Sequence, residues 1–167
     1  VQRLKGRGMD QPFLILVSGP QAVPDLEWTP LARELSEIFW PGALTLILKD
    51  PHRRFPPGVR SLDGKVAIRH SPHPMALGLV EALGEPIIST SVNPPGEMPA
   101  LTAREAMEIS RSLGGGGNLW ILDGGRLPPS HPSTIVDCSG AEPVVVRPGS
   151  IPVNRLRCVL PGLEGPD

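Results

Sequence analysis

Residues 29–48 read TPLARELSEIFWPGALTLIL. Thr29 followed by Pro30 marks a helix start: a hydroxyl able to cap free amides, then a residue whose fixed φ suits the first helical position. Leu31, Leu35, Ile38 and Phe39 recur at helical spacing, which predicts an amphipathic helix with those four residues on one face, running to about Trp40. Pro41 and Gly42 stop it. The ALTLIL that follows is short and apolar, and predicts a strand over 43–48. A helix handing over directly to a strand points to an α/β protein.

The same alternation extends outward. PFLILVS at 12–18 predicts an earlier strand, and KVAIR at 65–69 and PIISTS at 86–91 predict later ones. Between those two, Pro74 opens a helix that Gly84 closes. Thr102 and Glu105 form a capping box for a helix over 103–113, and the glycines at 114–117 are a flexible break. LWILD at 119–123, TIVD at 134–137 and VVVR at 144–147 predict the remaining strands, with a short helix near Pro152 and a frayed tail at 161–167. Strands separated by helices imply parallel pairs in the first two thirds; the strand-rich end implies antiparallel ones. The expected class is α/β, a twisted open mixed sheet with flanking helices. No repeat and no linker divides the chain, so a single domain is expected over 1–160.

Composition bounds the alternatives. The 167 residues include 22 Pro and 19 Gly, close to the range of disordered chains, yet 40% are hydrophobic and the net charge is only -1. Collagen is excluded because the glycines lack a period of three, and a coiled coil because the prolines interrupt every heptad. Thirteen of the sixteen basic residues are Arg. Arg offers a rigid fork for phosphate and carboxylate, although codon or thermophile bias explains the excess equally well. Cys138 and Cys158 have no CxxC spacing, and there is neither a signal-peptide pattern nor an apolar run of about 18 residues. A cytoplasmic protein with reduced thiols and no membrane partner is expected.

Familiar chemical motifs are absent. There is no GxGxxG after a strand and no GxSxG elbow. Residues 58–65 fail as a Walker A loop: five residues separate Gly58 from Gly64, and Val66 stands where a magnesium-holding hydroxyl belongs. His70 and His73 are split by Pro72, with no acidic or Cys ligand nearby, so no metal site is expected. What remains is a set of cations and hydroxyls beside turn formers: Lys5 and Arg7; Lys65 and Arg69; Ser89, Ser91 and Asn93 before Pro94; Ser133 after Pro132; and Arg147 before Pro148 and Gly149. Each has an ordinary reading too, as a solvated helix end, a turn cap, a strand start or a surface cation. Together, beyond the strand ends of an open sheet, they suit a polar anion such as a nucleotide with a carboxylate.

At these residues the sequence resembles the YrdC-like family of L-threonylcarbamoyladenylate synthases, in its short form. The matching stretches are KGRGMDQPFLILV (5–17), WPGALTLIL (40–48), VAIRHSPHP (66–74), PIISTSVNPPGEMP (86–99), ILDGG (121–125), HPSTIVD (131–137) and VVRPGSI (145–151), in the family's order. The resemblance implies an open sheet with a large, concave, basic cavity. It implies synthesis of threonylcarbamoyl-AMP from L-threonine, bicarbonate and ATP with release of pyrophosphate, feeding adenosine 37 modification in tRNA through downstream threonylcarbamoyl-transfer machinery. It places Lys5, Arg7, Lys65, Ser91, Asn93 and Arg147 at ATP, and Arg69, Ser89 and Ser133 at threonine. It implies no covalent nucleophile, so positioning and electrostatics carry the rate. Magnesium is expected on the ATP phosphates, with no clear carboxylate ligand in the chain.

Two departures stand out. Gln11 occupies a position where the family has Lys, and the chain begins inside the helix leading to Lys5, so the family's opening PTxTxYG strand and loop is expected to be missing. Two other functions fit the same residues: a divergent paralogue that binds nucleotide without full activity, and a module that binds double-stranded RNA or tRNA through the same arginines. With 4% aromatic residues and no Tyr, base stacking on single strands is disfavoured.

Overall fold

The computed structural model describes residues 5, 11–94, 96–114 and 119–166. It is α/β, built on one six-stranded mixed sheet: β1 (Leu14–Leu16), β2 (Leu44–Lys49), β3 (Lys65–Arg69), β4 (Ile87–Ser89), β5 (Thr134–Asp137) and β6 (Val144–Arg147), in the order β4-β1-β3-β2-β5-β6. Four helices accompany it among the described residues: α1 (Pro30–Phe39), α2 (Pro74–Leu83), α3 (Ala103–Ser112) and α4 (Val153–Val159). None is long and apolar enough to cross a membrane.

The described residues fall into two units, 11–89 with 131–166, and Lys5 with 90–94, 96–114 and 119–130. The first holds the sheet, α1, α2 and α4. Its core follows from strand alternation, since one side of each strand meets the apolar layer. Ile15, Ile68, Leu46, Val136 and Val145 lie in register across five strands and are at most 2% exposed. Leu35 of α1 and Leu156 of α4 belong to the same cluster.

Most elements match the sequence expectation, and the differences have identifiable causes. α1 starts as predicted, with the Thr29 hydroxyl accepting from Ala32 N at 3.1 Å. Its buried face, however, is Ala32, Leu35, Ser36 and Phe39, leaving Ile38 52% exposed. The stripe is rotated toward Ala32, which is fully buried. β4 does not pair in parallel after its crossover: it lies antiparallel to β1 at the sheet edge, while the parallel pairs are β1 with β3 and β2 with β5. The tail expected to fray is tied down. Leu163 is 3% exposed within the core, and Glu164 O accepts from Val145 N at 2.7 Å.

The second unit carries α3, capped by the Thr102 hydroxyl, which accepts from Glu105 N at 3.2 Å. The reciprocal half of the box is shifted by one residue, with Glu105 Oε2 accepting from Leu101 N at 2.7 Å. Residues 119–123 form no strand. LWILD has the composition of one, but composition without a pairing partner does not make a ladder, and Trp120 is 95% exposed.

Candidate functional site

One face of the sheet is apolar and sealed; the other carries the polar candidates. Val66 and Ile68 point into the core, so Lys65, Ala67 and Arg69 look the other way. Register extends that face. Thr45 lies opposite Ile135 and Ile135 opposite Arg147; Ile47 lies between Ala67 and Asp137; Ser89 pairs with Leu14 of β1. Five of the candidates, Lys65, Arg69, Ser89, Ser133 and Arg147, therefore belong to the sheet unit.

Arg69, Ser133 and Arg147 gather at one end of the sheet, where β3 and β6 finish and β2 and β5 begin. Arg69 Nε donates to Gly42 O at 2.9 Å, which leaves the rest of the fork unanchored. Arg147 Nη2 donates to Ser133 O at 2.7 Å and reaches Ser133 Oγ at 3.3 Å. Burial lowers the Arg69 pKa and the nearby Arg147 charge lowers it further; burial also lowers that of Arg147. Neither arginine makes an ion pair among the described residues. Both stay protonated, so this end of the sheet holds two neighbouring, uncompensated cations. Such a pair is stabilised by an anion that bridges it.

The loops holding these groups are clasped together. Ser150 N donates to Pro132 O at 2.9 Å and Ser150 Oγ to His131 O at 2.8 Å. The buried Thr134 hydroxyl donates to Ile151 O at 2.7 Å and accepts from Ile151 N at 3.0 Å. Gly149 packs on the backbone of Pro132, Ser133 and Thr134 so closely that no Cβ fits there.

Lys65 sits at the other end of β3, roughly 13 Å along the strand from Arg69. Its ammonium pairs with Asp137 at 3.0 Å and Asp63 at 3.1 Å. Hydrogen bonding to Asp137, then to Asp63, raises its pKa. Burial alone would raise the Asp137 pKa, but hydrogen bonds from Ser139 and Lys65 outweigh it and hold the carboxyl below its usual range. Ser89 is half-buried at the end of β4.

The other candidates belong to the second unit. Lys5 Nζ donates to Asn93 Oδ1 at 2.7 Å and to Asn93 O at 2.9 Å. Ser91 Oγ donates to the same Oδ1 at 2.6 Å, and Asn93 Nδ2 donates to Glu97 O at 2.7 Å. Lys5, Ser91 and Asn93 thus form one knot, tied to the backbone of Glu97. Arg7 lies outside the described residues. Gln11, at the family's Lys position, is exposed.

Two residues that hold the candidates were not singled out from sequence. Thr45 is fully buried and bonds Ser133 Oγ at 2.8 Å; Asp137 holds Lys65. The signal for Thr45 was available: in LTLIL it is the polar residue on the side opposite Leu44 and Leu46. Among the described residues no three His, Cys, Asp or Glu side chains come together to hold a metal.

Comparison with known proteins gives concordant matches. The Sua5/YciO/YrdC family model, described as telomere recombination, matches residues 1–149. The threonylcarbamoyl-AMP synthase of Bacillus subtilis is 32% identical over 96% of this chain and 46% of its own length. A putative threonylcarbamoyl-AMP synthase of Mycobacterium tuberculosis is 36% identical over 93% of this chain and 70% of its own. The crystal structure of Pyrococcus abyssi Sua5 complexed with L-threonine superposes with a TM-score of 0.87 at 29% identity, covering 99% of this chain and 48% of that one. The chain spans about half the length of the first and third of these proteins.

Proposed function

Because the chain belongs to the Sua5/YciO/YrdC family, we propose that it joins L-threonine, bicarbonate and ATP into threonylcarbamoyl-AMP, releasing pyrophosphate and water. The product serves threonylcarbamoyl modification of adenosine 37 in tRNA, through a downstream transfer step in the cytoplasm. The observation that carries this reading is the pair of neighbouring arginines, Arg69 and Arg147, with no carboxylate partner among the described residues, at the end of the sheet beside Ser133. The names of the curated relatives and the L-threonine complex of the Pyrococcus protein support it.

In this account Arg69 turns the free part of its fork to the threonine carboxylate, and Ser89 and Ser133 hold threonine or its carbamate. Arg147 lies beside the phosphates. Lys65, Lys5, Arg7, Ser91 and Asn93 take the nucleotide, and the spacing along β3 suits an elongated ligand. A carbamate oxygen attacks the α-phosphorus as the bond to pyrophosphate breaks, and the cations stabilise the charge that develops there. Magnesium travels on the ATP phosphates. The single domain over 1–160 is part of the same proposal, and one cooperative unfolding transition is its test.

The site assignment is tested with Arg69→Ala. A lost charge-assisted contact is worth ~1.5–3 kcal/mol, so the KM for threonine should rise roughly 10- to 150-fold while that for ATP changes less than about twofold. Equal effects on both would remove Arg69 from the threonine end. RNA affinity that falls steeply with salt and is not displaced by ATP would instead favour the RNA-binding alternative.

A further inference from the structure

Thr45 is a hydroxyl inside the most deeply buried strand, with no exposed surface. Its one hydrogen-bond partner among the described residues is Ser133 Oγ, at 2.8 Å. Ser133, 4% exposed, is reached at the same oxygen by Arg147 Nη2 at 3.3 Å. A hydroxyl has one proton and two acceptor positions, and a guanidinium can only donate. These constraints fix the direction of the pair.

Were Ser133 the donor, the Thr45 proton would be left without an acceptor in a water-free place, which is the costly arrangement. With Thr45 as donor, the buried Thr45 proton has its acceptor. Thr45 and Arg147 then occupy both acceptor positions of Ser133 Oγ, and the Ser133 proton is left to face the site. We propose that Thr45 is a positioning residue that fixes Ser133 as a one-way hydrogen-bond donor toward the ligand.

This inference rests on the threonine reading of Ser133 and sharpens it. The donors at the point beside Ser133 are the Ser133 hydroxyl and the Arg147 fork, with the Arg69 cation neighbouring Arg147. An acceptor oxygen of a carboxylate or carbamate fits there. An ammonium does not, since it would bring donors and positive charge against donors and positive charge. The substrate therefore enters with its oxyanion, not its free amine, at Ser133. Strand alternation sets the arrangement, because Leu44 and Leu46 hold the core side and leave Thr45 the other.

The test is a double-mutant cycle read by calorimetric threonine binding and by the separate KM values for threonine and ATP. Thr45→Val keeps the shape and removes the donor. It should weaken threonine about 5- to 30-fold and leave ATP binding, measured without threonine, within about twofold; Thr45→Ser should restore threonine binding. Ser133→Ala should weaken threonine at least as much, and adding Thr45→Val to it should cost nothing more. If the valine variant unfolds by circular dichroism, Thr45→Ala runs the same cycle. Threonine loss that adds in the double variant, or a harmless Thr45→Val beside a damaging Ser133→Ala, overturns the inference. A harmless Ser133→Ala instead overturns the threonine reading on which it stands.

Discussion

Gly149→Ala should disable the clasp that holds Ser133 and Arg147. The position needs space, not an unusual backbone: Gly149 is not among the glycines with positive φ. An added Cβ would lie 2.6 Å from Ser133 C and 2.7 Å from Thr134 N, and closer still to Pro132 O. All three are backbone atoms, so no side chain can swing aside. Reaching an ordinary 3.4 Å contact with all three requires the two loops to separate by about 0.7–1 Å. The Thr134–Ile151 bonds of 2.7 and 3.0 Å and the Arg147–Ser133 bond of 2.7 Å would then stretch to roughly 3.5–3.8 Å, beyond hydrogen-bonding range. Each buried group left unsatisfied costs ~1–3 kcal/mol, so a loss of about 2–5 kcal/mol is expected. With a urea slope of about 1–3 kcal/mol per molar, the unfolding midpoint should fall by roughly 1–2 M. Threonine binding should weaken in step, because Ser133 and Arg147 move together. Gly78→Ala is the control: it lies in α2 with nothing within 4 Å of a new Cβ, and should stabilise by ~0.5–1 kcal/mol. A Gly149→Ala protein that unfolds like wild type and binds threonine normally would refute the clasp.

Three further outcomes are expected. Lys65→Met should weaken ATP about tenfold and threonine little; unchanged ATP affinity would confine Lys65 to its pairing with Asp63 and Asp137. His70 has a buried Nε2 without a hydrogen-bond partner beside the Trp40 ring, and burial lowers its pKa, partly offset by Glu81. The folded protein thus binds that proton less readily than the unfolded chain, so stability should fall as pH drops below about 6.5. His70→Gln should flatten that decline in urea titrations; an identical pH profile would contradict it. Burial pushes the Cys138 thiol up to about 12, whereas Cys158 is exposed. A thiol reagent should therefore modify one cysteine quickly in the native state and the second only on unfolding; two fast equivalents would count against the buried placement.

Much of the sheet was legible because its strands advertise themselves. KVAIR, TIVD and VVVR are β-branched runs between turn formers, and their observed bounds coincide with the predicted ones. Pairing direction was less legible, since it depends on partners distant in sequence: β4 follows a helix yet lies antiparallel at an edge. LWILD shows the same limit, being an apolar run that found no partner strand. Ile38 was misplaced because the spacing of large side chains ignored Ala32, a small residue that is fully buried. At the site, the charged and hydroxyl residues could be named from their motifs. The Thr45–Ser133 hydrogen bond and the Lys65–Asp137 ion pair could not, because their partners lie 88 and 72 residues apart in the chain.

The central claim is that the uncompensated arginine end of the sheet serves threonylcarbamoyl-AMP synthesis. Its most direct test is pyrophosphate release from ATP in bicarbonate buffer, with and without L-threonine. The account predicts release that depends on threonine and that Arg69→Ala slows roughly 10- to 150-fold at subsaturating threonine. Release independent of threonine, or none at all from folded protein that binds ATP, would contradict it.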